Sequence, residues 1–527
     1  MSALEIFRLS AVEMAAGLAA GELSSVELVR AHLDRIDAVD GRVGAFTEVF
    51  RQRALDEAAV CDEERARGAV RGPLHGLPFT AKESLELAGH AATLGLRKRQ
   101  QERASSDAAI VRVAREQGGI LLGRTNIPQT LLSYECRNPI YGETANPFRL
   151  SHAPGGSSGG EAAALASGMS PLGLGTDIGG SIRLPAHMSG VVGFKPTLDR
   201  WSNLGLGTIL PGQEGVRSQS GGMARTVADL RLWMRAMNPK RMAQLDPRVP
   251  PLAFDDVAAT ASVLGMRVGV YFEDGMLSPS PAIHRGVQRA ADALTLAGAE
   301  LVPFTPPRNA DAIWDYFSAI AADGGDTLQA ALRGESVDIT MRTLLRVTML
   351  PNAARSALAK ALTFKGERRV GSMLAAMMRR PVDEYWRLIA RLRAHRQSLF
   401  DAMQAAALDA LLAPACAVPA VPQTLSADFA LAASYTMLYN LVQFPAGVVP
   451  VTTVRDDETR GRAVPKDKVE ERAVRVDAAS AGLPVGVQVV ALPFADERAL
   501  AVMAAIEQDV AADYGYPRTP VDPRAGL

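Results

Sequence analysis

Three stretches of this sequence predict a fold that mixes helices with short buried strands. Residues 108–123, AAIVRVAREQGGILLG, read as a helix, a glycine turn and a buried strand. Glu161 to Gly168 has the composition of a short buried helix, and Leu172, Leu174 and Ile178 continue it as a strand. Residues 267–271, RVGVY, read as a strand by their β-branched content. The segment 278–282, SPSPA, then starts a helix with proline near its first position, and Val287, Ala290 and Leu294 carry that helix on. The chain has 527 residues and is 48% hydrophobic, enough to bury a large core, and its length alone allows two or three domains. Its 57 basic residues balance 57 acidic ones, so no global charge points to nucleic acid.

From the N-terminus, Ser10 with Glu13 three residues on forms a capping box. A second helix begins near Ser24, with Val26, Leu28, Val29, Leu33 and Ile36 as its apolar stripe. No run of about 18 apolar residues and no signal-peptide pattern occurs there, which predicts a cytoplasmic chain that does not span a membrane. Cys61, Cys136 and Cys416 are widely spaced and form no CxxC, which fits a reducing compartment rather than a disulfide framework. The seven histidines show neither HExxH nor clustered spacing, and no metal is expected. Residues 76–83, GLPFTAKE, put Lys82 at the end of an apolar strand, where an exposed strand-end lysine would also fit.

The densest signal is Gly155 to Pro185, GGSSGGEAAALASGMSPLGLGTDIGGSIRLP. Two Gly-Gly-Ser turns, at 155–160 and 179–181, each put a hydroxyl on a sharp bend. Successive N–H groups in such turns face one concavity, which suits an anion or an oxyanion. A Walker phosphate loop needs a lysine after its glycines, and none follows here. A flexible linker would not carry the apolar run 162–166, AAALA.

This stretch resembles the signature of the amidase signature family, serine hydrolases with a Ser-Ser-Lys triad. The resemblance implies Ser181 as nucleophile, Ser157 as relay after a cis peptide bond, and Lys82 as base. It also implies an oxyanion hole from the N–H groups of Ile178, Gly179, Gly180 and Ser181, and no cofactor. The chemistry fits these residue types, because a serine needs a base to take its proton and a lysine can be that base only when burial keeps it neutral. Asp177 and Arg183 flank the nucleophile turn and are expected to orient it as a buried pair. In the family the loop after residue 125 approaches the site, which makes Leu131 and Ser133 substrate-contact candidates, with Leu184 counted beside them; Leu131 reads equally well as packing. The implied fold is one large α/β domain, a central mixed β-sheet covered by helices on both faces. Along the chain this gives an N-terminal helical segment (1–70), a catalytic domain (71–510) and a tail (511–527). Residues 193–197 and 221–225 are further family-like segments expected to brace the site loops.

Residues 341–380 carry nine basic residues against one acid, Glu367, interleaved with apolar ones such as Leu344, Leu358, Phe364, Met373 and Met377. Such a pattern fits an amphipathic helix pair that packs on the core, or an interfacial pair that sits on an anionic bilayer. Segments 434–440, 444–452 and 482–488 resemble the fatty acid amide hydrolase branch of the family, in which the equivalent of 341–380 caps an acyl channel at the membrane. The mixed-charge stretch 455–472 reads as a surface loop. The expectation is therefore an amidase that hydrolyses long-chain fatty acyl amides, of the N-acylethanolamine or primary amide type, to fatty acid and amine via an acyl-enzyme, with peripheral membrane contact through 341–380, no nucleic-acid partner and a homodimeric state. A hydrolase of short, aryl or carbamate-type amides remains open, as does a glutaminase-type subunit of a tRNA-dependent amidotransferase.

Overall fold

A computed structural model describes residues 6–426 and 429–524. Both N-terminal helices start as the sequence predicts. In each, Ser10 or Ser24 accepts from the backbone of the glutamate three residues on, and that glutamate accepts from the serine's own N–H at 2.7 and 2.8 Å.

Among the described residues, thirteen strands follow in chain order: β1 Phe46–Val49, β2 Pro78–Lys82, β3 Ile120–Thr125, β4 Arg137–Asn138, β5 Gly142–Glu143, β6 Leu172–Asp177, β7 Val192–Lys195, β8 Gln219–Ala224, β9 Arg267–Val270, β10 Glu300–Pro303, β11 Ala410–Pro414, β12 Ala446–Thr453 and β13 Pro484–Ala491. Eleven of them form one sheet in the order β1-β3-β2-β6-β8-β7-β12-β13-β11-β9-β10, while β4 and β5 make a separate hairpin. The pairs β3/β2, β2/β6, β11/β9 and β9/β10 are parallel and the other neighbours antiparallel, so the sheet is mixed.

Its central strands are buried along their whole length, as strands covered on both faces must be. Alternation sorts their side chains into two cores. Val485, Val487 and Val489 join Phe79, Trp233 and Leu500 on one face, and Val448 and Val490 join Leu165, Tyr435 and Phe444 on the other.

The expected helix and strand of 108–123 are Ala109–Glu116 and β3, and those of the signature are Gly159–Ala166 and β6. After β9, the helix Pro281–Leu296 starts on Ser280, whose Oγ accepts from Ile283 N–H. Strands β2 and β6 run parallel side by side, so Lys82 and Asp177 end neighbouring strands at the same edge.

Residues 341–380 form three short helices rather than a pair: Ile339–Thr348, Asn352–Phe364 and Arg368–Ala376. Pro351, which cannot donate a helical hydrogen bond, stands in the first break, and Gly366 at φ 94° closes the second helix. The stretch 455–472 also departs from a simple loop. It holds the short helix Asp456–Arg460 and the start of Lys468–Ala478, which Asp467 caps at 3.0 Å from Glu470 N. Among the described residues, no helix is long and apolar enough to cross a membrane.

Candidate active site

Lys82 has no exposed surface, and its Nζ donates to Ser157 Oγ at 2.7 Å and to Thr176 Oγ1 at 2.9 Å. Burial pushes its pKa down to about 7, against the partial restoring pull of Asp177 and other acids. Behind it, Glu161 accepts from the hydroxyls of Thr80 and Thr125 at 2.6 and 2.7 Å, and burial raises its carboxyl to about 8. The Gly156–Ser157 peptide bond is cis, as the resemblance implies. Ser158 N–H donates to Ser181 O at 3.0 Å, which ties the two glycine-serine turns together.

The second turn is held from inside by Asp177. Its carboxylate accepts from Gly180 N–H at 2.7 Å, from Ile182 N–H at 3.1 Å and from Arg183 at 2.9 and 3.0 Å. Although burial opposes ionisation, the Arg183 guanidinium holds this carboxyl well below the usual carboxylate range. Arg183 reaches on to Gln488 and Asn440, each at 2.6 Å, and Asn440 Nδ2 returns to Asp177 O at 3.0 Å. Asp177 and Arg183 thus form the buried pair the sequence predicts. Gly180 sits at φ 113°, where a methyl group would collide with Thr436 and Leu184, so only glycine fits. Of the four expected oxyanion donors, Gly180 N–H is engaged by Asp177. Among the described residues, the N–H groups of Gly179 and Ser181 have no protein partner.

An apolar cavity of about 220 Å³ opens beside Ser181, with Ile178 and Gly179 in its wall. Leu131 and Ser133 line it, joined by Ile320, Leu344, Met373 and Met377. Leu184 does not reach it. This side chain is fully buried in the core behind Gly180, because the helix Arg183–Ser189 turns it inward.

The basic face of 341–380 is smaller than its composition implies. Arg355 is buried and donates to the carbonyls of Gly324, Thr348, Leu350 and Met377, which knits the three helices together. Arg369 pairs with Asp467 at 2.6 Å and Glu470 at 2.9 Å, Arg379 with Asp326, and Arg380 with Ser318 at 2.8 Å. Arg342, Arg346, Lys360, Lys365 and Arg368 stay exposed, the two lysines on either side of a Phe364 that is 93% exposed.

Sequence reasoning does not assign roles to Thr176, Tyr316, Thr436, Asn440 or Gln488. A signal exists for Gln488, the one polar side chain in the otherwise apolar strand PVGVQVVA, because an amide at such a position must have a buried partner. Elsewhere, the ligand atoms of Cys61, Glu64 and His75 lie within 4.8 Å of one another. These groups already serve other contacts, His75 with Cys61 O and the Arg71 N–H, and Glu64 with the Arg71 guanidinium.

The model of the family described as Amidase matches residues 27–500. Fatty-acid amide hydrolase 1 of Sus scrofa is 37% identical over 496 residues, covering 93% of this chain and 83% of that protein. A glutamyl-tRNA(Gln) amidotransferase subunit of Synechococcus sp. is 32% identical over 495 residues, covering 93% and 94%. A solved structure of a fatty acid amide hydrolase superposes with a TM-score of 0.84 at 28% identity, over 97% of this chain and 86% of that one. The mixed eleven-stranded sheet and these matches agree, and the chain belongs to the amidase signature family as an amide hydrolase.

Proposed function

We propose that the chain hydrolyses fatty acyl amides through Ser181, Ser157 and Lys82. Ser181 Oγ attacks the amide carbonyl as its proton passes to Ser157 Oγ, and the Ser157 proton passes to neutral Lys82 Nζ. The relay then runs backwards, protonating the leaving nitrogen as the C–N bond breaks, and the amine departs from an acyl-Ser181. Water cleaves that ester by the same relay and releases the fatty acid. The N–H groups of Ile178, Gly179 and Ser181 receive the oxyanion, while Gly180 N–H stays with Asp177. The buried lysine within 2.7 Å of Ser157 supports the relay.

The observation that carries the substrate class is the apolar cavity that begins at Ser181 and ends among the helices of 339–376. Its walls are mostly leucine, methionine, isoleucine and aromatic side chains, with Asp323, Thr340 and Thr343 among a few polar groups, and this balance favours an alkyl chain over a charged or polar side chain such as that of glutamine. This weighs against the amidotransferase reading. Exposed Phe364 with Lys360, Lys365 and Arg368 supports peripheral contact with an anionic bilayer from which such a substrate would enter. The test is rapid mixing with oleamide, an acid quench, proteolytic digestion and peptide mass spectrometry. An oleoyl adduct on the peptide holding Ser181, absent from Ser181→Ala, is expected; an adduct on another residue would overturn the assignment.

A further inference from the structure

The turn that carries Ser181 is held at its peptide planes as well as through Asp177. Tyr316, buried on the helix Asn309–Ile320, donates its hydroxyl to Ile178 O at 3.2 Å. Its ring stands edge-on to Phe317, with centroids 5.6 Å apart, and both rings line the apolar cavity. On the next plane, Thr436 Oγ1 lies 2.9 Å from Gly179 O but shares its one proton with Ala433 O at 2.8 Å. The Tyr316 hydroxyl has no second acceptor among the described residues.

A trans peptide points its C=O and N–H in opposite directions, so pinning one fixes the other. The Gly179–Gly180 plane ends at Asp177, which takes the Gly180 N–H. The Ile178–Gly179 plane ends at the Gly179 N–H, which has no protein partner among the described residues. Its carbonyl is the one Tyr316 holds. A hydrogen bond at the carbonyl also polarises the amide and strengthens the N–H as a donor. The approach is close enough that a methyl group on Gly179 would collide with the Tyr316 hydroxyl.

We propose that Tyr316 is a positioning residue for catalysis, whose hydroxyl fixes and polarises the Ile178–Gly179 peptide so that Gly179 N–H meets the developing oxyanion. This rests on the assignment of Ser181 as nucleophile. Burial, reinforced by Asp177, pushes the phenol's pKa upward, so it remains a donor across the working pH range. Because the same ring walls the cavity, a bound alkyl chain packs against the residue that sets the oxyanion donor, and chain occupancy and turn geometry share one side chain.

The experiment is steady-state hydrolysis of oleamide by wild type, Tyr316→Phe, Tyr316→Leu and Ser181→Ala, with rates of the first three normalised to sites titrated by a fluorophosphonate and that of Ser181→Ala to folded protein concentration. Tyr316→Phe is expected to lower kcat about tenfold with KM within about twofold, as loss of one supporting hydrogen bond implies. A long-chain alkyl boronic acid, which mimics the tetrahedral oxyanion, is expected to weaken by the same factor, while oleate binds unchanged. Tyr316→Leu should add a rise in KM, because it also removes the wall. A Tyr316→Phe enzyme with wild-type kcat and boronate affinity, or with only KM raised, would overturn the proposal even if Ser181→Ala is dead. Hydrolysis surviving in Ser181→Ala would instead overturn the nucleophile assignment.

Discussion

Lys82 Nζ lies 2.7 Å from Ser157 Oγ, and the lysine has no exposed surface. An ammonium in that position gives up its hydration and gains only the partial attraction of the ionised Asp177, so its proton is held weakly and its pKa falls to about 7. The same burial that makes Lys82 poor at holding charge makes it able to accept a proton from Ser157.

The pH dependence follows in sign. As the proposed base, Lys82 acts in its neutral form, so kcat/KM should rise with pH through about 7 and level off above it. Lys82→Ala should remove that rise and lower kcat by about a thousandfold, within the range for loss of a general base. Initial rates across buffers of constant ionic strength check both. A profile that falls through neutral pH would mean that the protonated lysine is the active form.

Breaking the pair behind the Ser181 turn should cost stability as well as rate. Asp177→Asn or Arg183→Met leaves its partner buried and uncompensated, a loss of about 3–5 kcal/mol. The expected signature is a lower denaturant midpoint at constant slope. Asp177 is held below its ordinary pKa, so its contribution is present at neutral pH. It should fade as acid takes the solution below about pH 4 and through the folded value. An unchanged midpoint in both variants would show that the network is dispensable.

Arg355, on the helix Asn352–Phe364, ties that helix to the chain ends of its two neighbours at Thr348 and Met377 and to Gly324 through backbone carbonyls. Arg355→Met strands those acceptors at about 1–3 kcal/mol for each that stays dry. Hydrogen exchange across 339–380 should speed up while β6 and β13 stay protected, and oleamide turnover should fall relative to acetamide. Uniform acceleration across the chain would mark a global loss of stability instead.

Vesicle binding should depend on a small patch. Phe364→Ser with Lys360→Glu and Lys365→Glu should abolish co-sedimentation with phosphatidylglycerol vesicles, and wild-type binding should weaken as salt screens the lysines. Binding that survives the triple change would place any membrane contact on another face.

What the sequence discloses tracks how local each feature is. The capping boxes at Ser10 and Ser24, the helix and strand of the signature, and Lys82 at the end of β2 are set by residues a few positions apart. The glycine turns are legible because Gly180 at positive φ admits no other residue. Arg355 reads in sequence as part of a basic face, because only the packing of three helices turns its guanidinium inward. Leu184 reads as a substrate contact because it follows the turn, but the helix it starts buries it behind Gly180. Tyr316 lies 138 positions from the carbonyl it holds, a distance no local pattern spans.

The most direct test is the hydrolysis of straight-chain primary amides from acetamide to oleamide by wild type and Ser181→Ala, with and without phosphatidylglycerol vesicles. The cavity and the relay predict kcat/KM that climbs with chain length in the wild type and disappears in the variant. Rates that are flat or fall with length while still vanishing in Ser181→Ala would remove the fatty acyl substrate, and activity that survives in Ser181→Ala would contradict the mechanism itself.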